Sequence, residues 1–171
     1  QKIKFPANTT VYAFVTLLVW MLLTSLTGFY PELALEYYVQ VLKIQFFTLL
    51  SIALISNVKE LNQLITVIVL SIGFYSIKGG VFTILTGGAF RVWGPSGTFI
   101  EENNGLAIAT LMIIPLMIYL RHLSEKTIVR NLWLFGIVTS AASAVGSQSR
   151  GALIAILAVA FFYWLKTKGK F

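Results

Sequence analysis

RVWGPSGTFIEENNGL, residues 91–106, is the longest polar and turn-rich interruption in a chain that otherwise spells apolar runs of bilayer-crossing length. It holds an arginine, a tryptophan, a Gly-Pro turn, two adjacent glutamates and two adjacent asparagines. A second, shorter island, SQSRG at 147–151, sets another arginine between apolar runs. Whether the chain is a membrane protein with a site, or only a bundle of spans, turns on what these two islands do.

The surroundings fix the class. Of 171 residues, 57% are hydrophobic and 11% charged, against about 25% charged in soluble domains. A helix crossing the hydrocarbon core needs roughly 20 mostly apolar residues. Six stretches approach that length, at 11–29, 39–57, 61–77, 104–120, 131–146 and 151–165. The expectation is an all-α, polytopic integral membrane protein with about six transmembrane helices, forming a single transmembrane domain over 1–171. Between the third and fourth runs lies GGVFTILTGGAF, 79–90, apolar, bracketed by glycine pairs and too short to span. It reads either as a re-entrant half-helix, which survives at membrane depth only when protein or water surrounds it, or as an extension of helix three.

The formal charge is +7, from 13 Lys+Arg and 6 Asp+Glu. These cations sit at the ends of apolar runs, so they mark membrane faces rather than a nucleic-acid surface. With six crossings, Lys2, Lys4, Lys59, Arg121, Lys126, Arg130, Lys166, Lys168 and Lys170 share one face. Lys78, Arg91 and Arg150 fall on the other, with Lys43 close to it inside the second helix. Cytoplasmic loops are enriched in Lys and Arg, so both ends are expected in the cytoplasm and Arg91 and Arg150 outside. Cysteine is absent, which excludes a disulfide or thiol-metal framework. No cleavable leader is evident, because more spans follow the first apolar run. The start at Gln1 and the end at KTKGKF are read as those of an excerpt from a longer protein.

Several residues invite a chemical reading. Asn103 and Asn104 open the fourth helix, where asparagine is a favoured N-cap, and Glu101 and Glu102 lie at the positive end of its dipole. Capping is one account of them; orienting or deprotonating an acceptor hydroxyl through a glutamate is the other. Arginine beside hydrocarbon often snorkels to a headgroup. Here, however, both arginines break the charge trend and each precedes a helix whose N-terminus faces outward. Two helix N-termini with two guanidiniums suit a diphosphate, whose oxygens match arginine's planar fork. Ala142 and Gly146 have the small-xxx-small spacing that lets membrane helices approach closely and would hold Arg150 in place. Pro115 is expected to bend helix four. His122, the only histidine, falls beside Arg121 on the cytoplasmic face. Trp20, Trp93, Trp133 and Trp164, with Tyr30, Tyr37 and Tyr38, read as interface anchors.

The blocks IKGGVFTILTGGAFRVWGPSGTFIEENNGLA, IIPLMIYL and SQSRGALIA, in this order, resemble the O-antigen ligase and polymerase superfamily, with the exosortase-associated O-glycosylation ligases most similar. The resemblance runs from about residue 31 to the end and is most specific in the GP…F.E.NN…P and SRGA blocks. It implies an inner-membrane, metal-independent glycosyltransferase without cofactors. Such an enzyme moves a glycan from an undecaprenyl-diphosphate carrier to a lipid or protein acceptor hydroxyl on the periplasmic face. Arg91 and Arg150 match the arginines that grip the diphosphate and stabilise charge on it as it leaves. Glu101 joins them as a candidate catalytic group, and Trp93, Asn103, Asn104 and Ser149 as candidate substrate contacts. The acceptor-activating histidine would lie beyond residue 171, so the excerpt is expected to be inactive alone. Two other readings stand beside this one. A transporter or flippase segment would use broken helices and a buried Lys43, and a structural fragment would have no chemistry.

Overall fold

The computed structural model describes residues 9–168, the side chains of 159, 160, 162, 163 and 166–168 excepted. Lys2, Lys4 and Lys170 of the charge sorting, and the lead-in QKIKFP, lie outside the described residues. Within them the chain is helical, with no strand: α1 (Thr9–Thr27), α2 (Pro31–Leu54), α3 (Val58–Leu85), α4 (Asn103–Leu123), α5 (Thr127–Gly146) and α6 (Arg150–Lys168). The all-α expectation is met. Helices α1 to α5 are each long and apolar enough to cross a membrane. At about 1.5 Å per residue, the 19 residues of α1 and the 28 of α3 bracket a hydrocarbon core about 30 Å thick.

Burial runs opposite to that of a water-soluble protein. Phe74, Met112 and Ile154 are 65%, 68% and 68% exposed, while Ser76, Thr110 and Ser140 are wholly buried. Water would drive those large apolar groups inward. Hydrocarbon does not, and small or hydroxylated residues then take the helix interfaces. This is the pattern of a protein whose solvent is lipid.

The chain forms two compact units, 1–61 and 62–171. In the first, α1 packs on α2. Helix α2 begins eight residues before the apolar run at 39, because Pro31 sits in its first turn with Glu32 beside it and both favour a helix start. Hydropathy finds what lipid tolerates and is silent about a polar first turn. Lys43 was expected to be buried; it is exposed, lining a groove of about 570 Å³ with Leu18, Val39, Phe46 and Phe47. The turn into α3 is capped reciprocally. Asn57 Oδ1 accepts the Glu60 N–H at 2.9 Å, and Glu60 Oε2 accepts the Ser56 N–H at 2.8 Å, so donors that the helix start leaves unpaired are satisfied.

In the second unit α3, α4 and α5 enclose Val69, Ile113, Met117 and Leu120, with Trp133 packed against them, so Trp133 is in part a core residue. Helix α6 packs on α4 and α5. Residues 79–85 continue α3, the alternative to a re-entrant piece, because Gly79 and Gly80 serve as contact points. A Cβ on Gly80 would collide with the Thr139 carbonyl, and one on Gly146 with the Thr83 side chain. The helix stops at the second glycine pair. Gly87 and Gly88 have φ of +61° and +78°, and the Gly88 N–H donates to the Thr83 carbonyl at 2.9 Å, a glycine C-terminal stop. Ser76 and Thr110 share a buried hydrogen bond of 2.6 Å between α3 and α4. Helix α4 runs unbroken through Pro115, which is exposed.

Candidate functional site

The two polar islands meet at one end of the second unit, where α3 and α5 finish and α4 and α6 begin. Two bonds join island to island, and two more tie each island to the flank of the other. The Val92 N–H donates to the Gly146 carbonyl at 3.2 Å. Asn103 Nδ2 donates to the Ser147 carbonyl at 2.9 Å. Arg91 Nε donates to Gln148 Oε1 at 3.2 Å, and Gln148 Nε2 donates to the Gly88 carbonyl at 3.1 Å. The reason the chain folds this way lies in backbone supply: the last carbonyls of α5 have no intrahelical donor, and the 88–103 loop delivers donors to them.

The loop is held in shape from within. Gly94 N–H donates to the Glu101 carbonyl at 2.8 Å, and Glu101 Oε2 accepts the Gly97 N–H at 2.6 Å. A Cβ on Gly94 would strike the Ile100 carbonyl, so the two loop arms approach as only glycine allows. Gly97 turns the tip with φ of +73°.

Against this frame each anticipated residue has a place. Arg91 is exposed and tethered by Gln148. Arg150 is exposed at the first position of α6, and no hydrogen bond or ion pair engages it among the described residues. Glu101 closes its own loop through Gly97. The asparagines do not cap α4. The cap position is Glu102, with no side-chain hydrogen bond; Asn103 is the first helical residue and reaches across to α5, while Asn104 is exposed. Ser149 caps α6 by accepting the Ala152 N–H at 3.2 Å and is 6% exposed, which leaves it a structural task. Trp93 is exposed on the loop. His122 is exposed at the far end of α4.

The arginines serve separate cavities. One, of about 270 Å³, is lined by Tyr75, Lys78, Phe82, Arg91 and Trp93. The other, of about 230 Å³, is lined by Ala144, Val145, Gln148, Arg150, Leu153 and Ile156. Gln148 lines the second and holds the arginine of the first, so the cavities adjoin through that hydrogen bond. Lys78 and Gln148 were not singled out as site residues. Lys78 was counted only among the outward cations, and Gln148 was visible only as one letter of a polar island. Its backbone is left-handed, φ 53°, a conformation that side-chain-bearing residues rarely hold. Ser143 Oγ, buried behind Gly79 of the first cavity, has no hydrogen-bond partner among the described residues.

An all-helical membrane protein with Lys78 and Arg91 lining one cavity and Arg150 lining a second is the class that the fold and site define. The chain belongs to a family of unknown function, DUF5935, whose model matches residues 1–125. The match takes in Lys78, Arg91 and the 88–103 loop and stops short of Gln148 and Arg150. No curated protein and no solved structure matches the chain.

Proposed function

We propose that this chain is the donor-binding part of a membrane glycan ligase. It takes a glycan linked to undecaprenyl diphosphate and delivers it to an acceptor hydroxyl on the periplasmic face of a bacterial inner membrane. The observation that carries the reading is the Arg91–Gln148 hydrogen bond, which joins the two islands that the O-antigen ligase resemblance rests on. Lys78, Arg91 and Arg150 surround one helix-start region, and their positive charge is complementary to a diphosphate. As the sugar–oxygen bond breaks, negative charge grows on the leaving diphosphate, and the cations stabilise it, Arg91 from a position already fixed by Gln148. Glu101 is held by Gly97, so its part in this reading is to shape the loop that presents Trp93.

The test uses the full-length protein. Arg150→Ala and Arg150→Lys are expected to abolish glycan transfer at normal membrane abundance, since Arg150 is exposed and supports no fold contact. Lysine fails because a point charge cannot make the forked contact. Transfer at the parent rate by either variant rejects the proposal.

A further inference from the structure

We propose that the two cavities sort the two ends of the lipid-linked donor, glycan side against Lys78, Arg91 and Trp93, first isoprene units against Leu153 and Ile156, with the diphosphate crossing Gln148. The inference rests on the ligase reading and adds a direction to it. The cavities differ in chemistry although the Arg91–Gln148 hydrogen bond links their linings. The first offers two cations and the aromatic faces of Tyr75, Phe82 and Trp93. Aromatic rings with polar tips, set beside two cations, suit a sugar, which needs both a stacking surface and hydrogen bonds. The second carries its polar groups, Gln148, Ser149 and Arg150, on one stretch of its lining and is otherwise aliphatic, with Ala144, Val145, Leu153 and Ile156 and no aromatic ring. Aliphatic walls reward a hydrocarbon chain and give a sugar hydroxyl nothing to bond. Its volume of about 230 Å³ holds the start of a polyprenyl chain, the rest lying in lipid.

Gln148 marks the crossing point. Its amide is committed on both sides, to Arg91 and to the Gly88 carbonyl, so it fixes the Arg91 guanidinium on one side and stands two residues from Arg150 on the other. A diphosphate carries two phosphoryl groups, and the proposal assigns Arg91 to one and Arg150 to the other.

The experiment measures binding of inorganic pyrophosphate and farnesyl diphosphate to the full-length protein in detergent, in parent and variants. The parent is expected to bind farnesyl diphosphate at least about tenfold more tightly than pyrophosphate, a gap of about 1.4 kcal/mol. Leu153→Trp fills the aliphatic cavity, and Leu153→Asn places an amide on its wall; both are expected to erase the farnesyl advantage and leave pyrophosphate binding unchanged. Leu153 is 57% exposed, so neither change disturbs a packed core. Trp93→Ala is expected to leave both affinities alone and to raise KM for the glycan donor in transfer. A farnesyl advantage that survives both Leu153 variants, or that Trp93→Ala removes, overturns the assigned direction. Failure of the ligase reading looks different: the parent binds neither anion, or Arg150→Ala weakens neither.

Discussion

Gln148 shows how much one side chain organises here. A residue other than glycine with φ near +53° carries a backbone cost of about 1–3 kcal/mol, which persists because its amide makes two hydrogen bonds, each worth about 0.5–1.5 kcal/mol net. Gln148→Gly removes cost and bonds together, so thermal unfolding of the full-length protein is expected within about 1 kcal/mol of the parent. Transfer, in contrast, is expected to fall about tenfold or more, because Arg91 loses its tether. Gln148→Leu keeps the backbone cost and loses both bonds, so it is expected to lower stability by about 1–3 kcal/mol as well. Parent-like transfer by the glycine variant would show that Arg91 needs no holding. Such a residue is hard to foresee. The polarity of SQSRG was legible, but a left-handed glutamine has no sequence signature, and its partners lie 57 and 60 positions away. Asn103 teaches the same point from the other direction: an asparagine at a helix start suggests a cap, yet its donor was worth more to the orphaned Ser147 carbonyl.

Among the helices, contact between α3 and α5 is made where glycine lets backbone meet backbone. Gly80→Ala drives a methyl into the Thr139 carbonyl, and Gly146→Ala drives one into Thr83. Overpacking of this kind costs about 1–3 kcal/mol or more, so both variants are expected to unfold earlier on heating and to accumulate less in membranes. Gly136→Ala is the control on the same helix, since its added Cβ would meet Ile77 and Met117 at ordinary contact distances of 3.6 to 3.8 Å; it is expected to change stability by no more than about 0.5 kcal/mol. The Ser76–Thr110 bond can be weighed separately by Ser76→Ala, Thr110→Val and the double variant, with an expected coupling of about 0.6 kcal/mol. The helix inventory was readable because lipid demands long apolar runs, and the small-xxx-small spacing announced that the end of α5 would be approached closely. Which helix would approach was not readable. The glycine pairs at 79–80 and 87–88 look alike in sequence, yet the first is a packing surface inside α3 and the second its stop, a difference set by what stands opposite each.

For the molecule in its membrane, the decisive property is which end of the second unit faces out. Alternating spans put Lys78, Arg91 and Arg150 at one end and Arg121, Lys126 and Arg130 at the other, and α4, running from Asn103 to Leu123, carries the chain between them. Under the ligase proposal sidedness constrains the substrate, because an outward site is confined to donors already carried across on lipid. With Lys166 and Lys168 at the end of α6, the cations of the α4–α5 turn outnumber those of the site end, and on the positive-inside trend the ligase proposal takes the turn as cytoplasmic and the site as external. The chain has no cysteine, so single cysteines report without background. In intact cells, Ser96→Cys, on the exposed loop, is expected to react with a membrane-impermeant maleimide. Ser124→Cys, in the α4–α5 turn, is expected to react only after the membrane is permeabilised, which also proves the position reachable. The reverse pattern would put the cationic end in the cytoplasm and reject the outward site on which the proposed transfer at the periplasmic face depends.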